Sequence, residues 1–438
     1  MATRSVPSAP AGSLASVIRR PGLAAAATVP FLFFHARWQT IHVGSSSFEV
    51  ADVAVLVAVV VAARIALQEG FAPLRRAVPV LAAVGAFLIW IGITTLHPLL
   101  WQDGYAFHAH AITAAKFALW ALLVAALPFL LHDRRDRNLL FGTLAVWALA
   151  ATVVALLQFF GVSIFRAWPA GRRQPSFLEP NDFSVLANLA LVAGLAELAF
   201  GVRLFGERRL AVVATAAGAV GAVLGGASSG ALGAWLGFAG AVALTAGVRT
   251  FVVRRAAAAA AVLAITTLGV LAVRGRDFDD FLRFLGIKVE TRASAVEVQT
   301  YTQRTILAYI GGRIFLAHPI VGAGWQGSTQ PRIYQPFVAD AKRKFPNKPA
   351  LDFPSPGRPW GVQSGWIQSA ADMGVVGFLL FAAMFVAGCV VAWRRRVVAG
   401  LALVLLAAGM WLAAGLFAGV PIDALTWLAL GLVAAGDG

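Results

Sequence analysis

Twelve apolar segments constrain this chain more than any other feature of its sequence. They lie near residues 21–36, 49–68, 78–97, 108–131, 139–161, 183–201, 210–226, 228–248, 256–273, 366–392, 397–418 and 420–436. A helix needs about 20 mainly apolar residues to cross the hydrocarbon core of a bilayer. Because lipid offers the backbone no hydrogen-bond partners, such segments are expected to be helical. The sequence therefore predicts an all-α polytopic membrane protein with about twelve transmembrane helices.

Composition supports the membrane class and argues against two others. The chain is 59% hydrophobic and only 13% charged. Its net charge of +16 does not indicate a nucleic-acid partner, because the basic residues are scattered in short clusters between apolar runs. The single cysteine, Cys389, lies in an apolar segment, so a disulfide framework or a cysteine-rich metal site is excluded.

Short basic clusters predict how the chain is oriented. They fall in every second loop, at Arg75–Arg76, Arg134–Arg137, Arg203–Arg209, Arg254–Arg255 and Arg394–Arg396. Cytoplasmic loops of membrane proteins carry an excess of Lys and Arg, so both termini are expected to be cytoplasmic. Residues 1–20, rich in Ser, Pro and Ala, are predicted to be a cytoplasmic tail, with a cleavable signal peptide as the alternative.

Two arginine-rich loops fall on the external side of this topology. One is 162–182, inside the block of helices 1–9 (21–273). The other is 274–365, a large external loop before helices 10–12 (366–438), and it contains thirteen Lys and Arg residues. These charges oppose the topology rule and so indicate binding; the alternative is that long external domains escape the rule.

The shorter loop has the features of an anion site. Asn181 or Asp182 can cap the helix that follows, whose N-terminal N–H groups face the external side. Arg172 and Arg173 carry planar guanidinium groups that pair with phosphate oxygens. The loop is therefore predicted to bind a lipid phosphate or diphosphate at the headgroup level. Ordinary capping and snorkelling arginines are the alternative explanation.

The large loop is predicted to contain one helix and an irregular cover. Residues 299–317 have the apolar spacing of a helix, with Arg304 near its start and Arg313 on the opposite face. Only one of these arginines is expected to face a given pocket. Residues 331–359 contain seven prolines and a run of basic residues, which predicts an irregular, solvated segment.

Three stretches of the chain match motifs of a known family. Gln363-Ser364 is followed by nine residues and then by Gly374-x-x-Gly377; the other two stretches are Arg172–Asn181 and Gln303–Gly324. In these motifs and in its predicted span order, the chain resembles the O-antigen ligase and O-antigen polymerase family. The resemblance implies substrate-binding roles for Arg172, Arg173, Arg304, Asn181 and Ser364.

The chain departs from the family pattern at two positions. Gln363 stands where the family has a histidine, and Ser229 stands where an arginine is often found. An imidazole accepts a proton near neutral pH, whereas an amide only orients a hydroxyl by hydrogen bonding. Gln363 is therefore expected to orient the acceptor hydroxyl. Glu179 is the preferred substitute base, ahead of Asp352 and Asp340.

The resemblance implies a glycosyltransferase that moves a glycan from a polyprenyl-diphosphate carrier to a lipid or glycan acceptor. It places the reaction on the outer face of the bacterial cytoplasmic membrane, without a cofactor. Arginines can stabilise the leaving diphosphate without a metal, and no carboxylate cluster with metal-ligand spacing is visible. A ligase and a polymerase of lipid-linked repeat units share these motifs, and a binding protein that has lost catalysis is a further alternative. A transporter is disfavoured because Lys116 and Glu197 are the main ionisable residues within the spans.

Overall fold

The computed structural model describes residues 21–34, 40–43, 46–165, 173–247, 252–287, 299–358, 361–416 and 418–436. Almost all of these residues are in helices or in short connections between helices. Sixteen α-helices occur: α1 Pro21–Leu32, α2 Val50–Glu69, α3 Ala72–Arg75, α4 Val78–Leu96, α5 Phe107–Ala121, α6 Leu123–Leu130, α7 Arg134–Phe159, α8 Pro180–Phe200, α9 Arg208–Gly225, α10 Ser228–Thr245, α11 Val253–Phe284, α12 Gln299–Ala317, α13 Pro331–Lys344, α14 Gly365–Arg395, α15 Val398–Met410 and α16 Pro421–Ala435. One strand pair, β1 Thr40–Val43 and β2 Ser46–Glu49, precedes α2.

Each of the twelve predicted apolar segments contains a helix or, at 108–131, two consecutive helices. In the described part of the chain, nine helical segments are long and apolar enough to cross a membrane. Three shorter apolar helical segments lie at Pro21–Leu32, Val398–Ala413 and Pro421–Ala435. The structure therefore confirms a predominantly helical fold of the multi-pass membrane type. The count of twelve crossings stays a prediction.

The basic clusters collect at one end of the helix bundle, which we call the basic end. There, arginines donate to carbonyl groups at helix C-termini: Arg137 to Gly436 at 3.2 Å, Arg395 to Val433 at 3.1 Å and Arg396 to Leu244 at 2.8 Å. Cations are favourable at helix C-termini because the carbonyl groups there carry partial negative charge. The other end of the bundle therefore contains the N-termini of α8, α10, α14 and α16, since each of these helices runs along the bundle.

Helix α14 is broken at Gly374, where φ is 67° and ψ is −169°. The turn formed by residues 319–325 of the large loop packs against this break, and we call the contact the Gly374 joint. Backbone groups freed by the break find partners across the joint: Ala323 N donates to Ala371 O (3.0 Å), Gly324 N to Asp372 O (2.9 Å) and Val375 N to Pro319 O (2.8 Å). A fourth partner comes from α4, where Trp90 Nε1 donates to Met373 O (2.9 Å). The two glycine-containing motifs, which are separate in the sequence, are thus in direct contact in the structure.

One expectation for the large loop changes. The segment from Pro331 to Lys344 is a helix, so the prediction of irregular structure there is wrong. Pro331 occupies the first turn, where a missing N–H costs no hydrogen bond, and Val338 and Ala341 are among the residues that the helix buries. Helix α11 also extends into the range predicted for the large loop, because it continues to Phe284 across a kink at Arg274.

Candidate functional site

A cavity of about 440 Å³ lies at the end of the bundle opposite the basic end. Its walls are formed by the start of α8, the start of α10, the large loop, the end of β2 and the connection between α15 and α16. The polar lining residues are Glu49, Glu179, Asn181, Asp182, Ser184, Ser229, Arg304 and Gln363. The rest of the lining is apolar and built mainly of small residues between Met410 and Ile422. The cavity is therefore amphiphilic, with charged and apolar residues in its lining.

The loop before α8 is fastened into the bundle through Gln158. The Gln158 side chain donates to Ser176 O at 2.8 Å and accepts from Ser176 N at 2.9 Å. The Ser176 hydroxyl donates to Ala151 O at 2.6 Å. These buried bonds fix the loop, which then places Glu179 and Asn181 in the cavity wall. The Glu179 carboxylate has no hydrogen-bond or ion-pair partner among the residues that the structure describes.

Arg173 holds the loop and the helix start together. Its Nε donates to Gly225 O at 2.9 Å, Nη1 to Asn181 Oδ1 at 3.3 Å and Nη2 to Pro180 O at 2.5 Å. All three guanidinium nitrogens therefore have protein partners, and Arg173 is not among the residues that line the cavity. Arg172, which was also predicted to bind substrate, lies outside the described residues. The binding roles of both arginines stay predictions.

Arg304 and Gln363 form the polar wall that the large loop contributes. Helix α12 covers residues 299–317 as predicted and buries Ile306 and Ile314 on its inner face. Arg304 Nε donates to Gln363 Oε1 at 3.0 Å, and its guanidinium carbon lies 4.9 Å from the centre of the Tyr301 ring. Among the described residues, the two terminal nitrogens of Arg304 have no hydrogen-bond partner. They are available to an anion in the cavity, although the side chain is largely buried.

Arg313 behaves differently from Arg304, as the helical spacing predicts. It lies on the other face of α12 and pairs with Asp340 at 3.1 Å, outside the cavity wall. Asp340 also accepts a hydrogen bond from the Tyr309 hydroxyl at 2.7 Å. This bond, with help from Arg313 and Arg343, holds the pKa of Asp340 below its usual value. Asp340 is therefore poorly suited to be the base.

A cluster of charged residues that was not predicted from the sequence lies next to the part of the cavity wall that the end of β2 forms. The Lys116 ammonium lies 3.1 Å from Asp52 and 3.6 Å from Glu49, and Trp120 Nε1 donates to Asp52 at 2.7 Å. Glu49 faces the cavity. The positive charge of Lys116 is thus paired with the carboxylates of Asp52 and Glu49, at the start of α2. Glu49 is a cavity carboxylate that was not predicted from the sequence.

The remaining predicted residues divide between the cavity wall and the protein interior. Ser229, the second position at which the chain departs from the O-antigen ligase pattern, lines the cavity, as Gln363 does. Ser364 is buried at the start of α14, and Asp352 is buried in the large loop; neither lines the cavity. The binding role of Ser364 stays a prediction.

No protein-family model matches this chain, and no curated protein matches it. The chemistry of the cavity must therefore be argued from its residues. It offers one guanidinium group with free terminal nitrogens, an amide that positions it and several carboxylates. In the described ranges, no group of three His, Cys, Asp or Glu side chains is placed to hold a metal ion.

Proposed function

We propose that this protein is a glycosyltransferase that moves a glycan from a polyprenyl-diphosphate carrier to an acceptor hydroxyl. One observation carries the proposal: Arg304, Gln363, Glu179 and Asn181, which lie in three separate motif stretches, line one amphiphilic cavity. A guanidinium group suits a diphosphate, and an apolar wall suits the first part of a polyprenyl chain. The carboxylates supply proton acceptors for a sugar or lipid hydroxyl.

The placement of the arginine clusters supports a site on the outer face of the cytoplasmic membrane. They lie at the basic end, and the cavity lies at the other. If the basic end faces the cytoplasm, as the charge rule requires, the cavity opens on the external side. This orientation, with twelve crossings and both termini inside, is part of the proposal.

The proposed reaction is a displacement at the anomeric carbon of the donor. The acceptor oxygen forms a bond to this carbon while the bond from the carbon to the diphosphate oxygen breaks. The electron pair of the broken bond stays on the diphosphate, where Arg304 stabilises the added negative charge. The hydroxyl proton passes to Glu179, whose carboxylate has no partner within the described residues. Gln363 holds Arg304 in place and has an amide N–H₂ group left to orient the hydroxyl.

Replacing Arg304 with alanine is expected to reduce transfer at least ~10-fold, because a hydrogen bond to a charged group contributes about 1.5–3 kcal/mol. The measurement is transfer of a lipid-linked glycan extracted from the host, by purified protein reconstituted in vesicles. Arg313→Ala is the matched control, since this arginine lies on the opposite face of the same helix and pairs with Asp340. The control is expected to keep full activity. Unchanged transfer by well-inserted Arg304→Ala protein would remove Arg304 from the site.

Chelating divalent metals is expected to leave transfer intact, because the Arg304 guanidinium supplies the positive charge that a metal would otherwise provide. The measurement is the initial rate of transfer before and after dialysis against EDTA. A loss of activity that added magnesium or manganese restores would show that a metal takes part.

Two alternatives are separated by the same reconstituted system. The acceptor that becomes labelled distinguishes a ligase from a polymerase of lipid-linked repeat units. A transporter is favoured by one observation, the Lys116 and Asp52 ion pair within apolar helices, since charges in such helices often mark transport pathways. Movement of the lipid-linked glycan across acceptor-free vesicles, with no transfer when acceptor is supplied, would select the transporter.

A further inference from the structure

Exposed apolar side chains from two distant parts of the chain form one surface beside the Gly374 joint. The surface contains Leu99, Leu100, Trp101, Leu316 and Ile320, whose exposed fractions range from 42% to 84%. The first three follow α4, and the other two lie at the end of α12 and in the turn after it. A cluster of large apolar side chains left in water would be unfavourable, so this surface needs a partner.

Direct contacts hold these two parts of the chain together. The ring of His318 stacks on Trp101, with 5.5 Å between ring centres and 22° between ring planes. Trp325 N donates to Thr94 O at 3.2 Å, which fastens the turn to the last part of α4. The end of α12 therefore lies against the end of a helix that is long and apolar enough to cross a membrane.

The surface is continuous with the sides of α4 and α14 that face away from the protein. On α4, Ile89 and Ile93 are 68% and 44% exposed, and on α14 Leu379 is 58% exposed. Exposed apolar side chains on membrane-spanning helices contact lipid. Val375 of α14 bonds to Pro319, the residue before Ile320, so no gap separates the turn from this lipid-facing side.

We propose that the end of α12 and the turn at residues 318–321 insert into the outer leaflet of the membrane. The large loop is then a monotopic element that contacts acyl chains beside the spanning helices, and the partner of the apolar surface is lipid. Insertion into the leaflet at the cavity end requires only that the bundle spans a membrane and does not depend on glycosyl transfer; that this leaflet is the outer one rests on the orientation given under the proposed function.

Much of the backbone of the turn meets the condition that such a position imposes. Irregular backbone at membrane depth is tolerated only where its polar groups are bonded within the protein. His318 N donates to Ile314 O at 2.9 Å, the carbonyl groups of His318 and Pro319 accept from Gly322 N at 3.1 Å and from Val375 N at 2.8 Å, and Pro319 has no N–H to satisfy. The side chains of Leu316 and Ile320 point out of this bonded segment, which suits contact with lipid.

Insertion would connect the membrane surface to the cavity through one rigid element. Arg304 and the end of α12 are roughly 20 Å apart along the helix axis, at 1.5 Å per residue. A leaflet contact at one end of α12 and the Gln363 bond near the other would hold the Arg304 guanidinium at a set height above the lipid. A phosphate headgroup at that height would meet the guanidinium without a movement of the loop.

Spin labels test the proposal independently of activity. Cys389 is the only cysteine, so a Cys389→Ser background allows single labels at Leu316→Cys and Ile320→Cys. Leu379→Cys, exposed on α14, is the lipid reference, and Ala339→Cys, exposed on α13, is the aqueous reference. The protein is reconstituted in phosphatidylethanolamine and phosphatidylglycerol vesicles, and collisions with dissolved oxygen and with a water-soluble nickel chelate are compared.

The labels at 316 and 320 are expected to favour oxygen over the nickel chelate, as the label at 379 does and the label at 339 does not. Nickel accessibility at 316 and 320 equal to that at 339 would show that this surface faces water. Low accessibility to both reagents would show that protein, such as a second copy of the chain, covers the surface. Either result would overturn the proposal.

Discussion

Replacing Glu179 with glutamine is expected to reduce glycan transfer by about 10²- to 10⁴-fold, the usual cost of removing a general base. Glutamine keeps the size of the side chain and its place at the start of α8 but cannot accept the proton. The effect should appear in the initial rate with saturating donor and acceptor. Binding of the carrier lipid should be little changed, because Arg304 remains in the cavity.

Two other variants calibrate this result. Gln363→Ala removes the acceptor of the Arg304 hydrogen bond but leaves the guanidinium in the cavity, and we expect a smaller loss of about 10-fold, the lower end of the about 1.5–3 kcal/mol that such a bond contributes. Glu49→Gln makes the same chemical change in the same cavity at a carboxylate that pairs with Lys116, and we expect a modest loss. A fully active Glu179→Gln protein together with an inactive Glu49→Gln protein would assign the base to Glu49. Wild-type protein that binds the carrier lipid but transfers nothing would favour a binding role alone.

Replacing Gly374 with alanine is expected to prevent stable folding or to lower the midpoint of thermal unfolding by many degrees. Gly374 has a positive φ in a region that side-chain-bearing residues rarely adopt, which alone costs about 1–3 kcal/mol. A Cβ atom there would also lie 2.1 Å from the carbonyl oxygen of Ile320. The turn and α14 would have to separate, and the hydrogen bonds of the joint would be lost. Thermal unfolding of detergent-solubilised protein, followed by size-exclusion chromatography, measures the effect.

Gly92→Ala is the matched control for this variant. Gly92 lies within α4, near the joint, and a Cβ atom there would meet nothing within 4 Å. Alanine is favoured over glycine in a helix by up to about 1 kcal/mol, so the control should be as stable as wild type or slightly more stable. Equal stability of the two variants would show that the break in α14 does not depend on Gly374.

The helical bundle was predictable because its main determinant is local. A run of about 20 apolar residues is visible without knowledge of the rest of the chain, and every predicted run contains helix. The helix at 299–317 was predictable for a similar reason, since the spacing of its buried isoleucines is helical. The prediction that Arg304 and Arg313 face different surroundings followed from the same periodicity.

Contacts between distant segments were not predictable from local patterns. Glu49 precedes an apolar run and resembles an ordinary helix-capping residue, and nothing in its neighbourhood indicates that it shares a cavity with Glu179. The sequence placed Arg173 beside a phosphate, whereas the structure gives its guanidinium three protein acceptors. Prolines suggested coil at 331–344, but Pro331 lies in the first helical turn, where its missing N–H costs no hydrogen bond, and the helix continues through Pro336.

The amide at position 363 has a consequence for how the hydrogen bond to Arg304 depends on pH. A histidine there would gain a proton between about pH 5 and 8, and both ring nitrogens would then be donors. A protonated ring could not accept the hydrogen bond from Arg304 and would repel the guanidinium. Gln363 accepts that bond at 3.0 Å whatever the acidity outside the membrane. The Arg304 guanidinium is therefore held by a side chain that acid does not change, which would suit the proposed external site, where the cytoplasm does not control the pH.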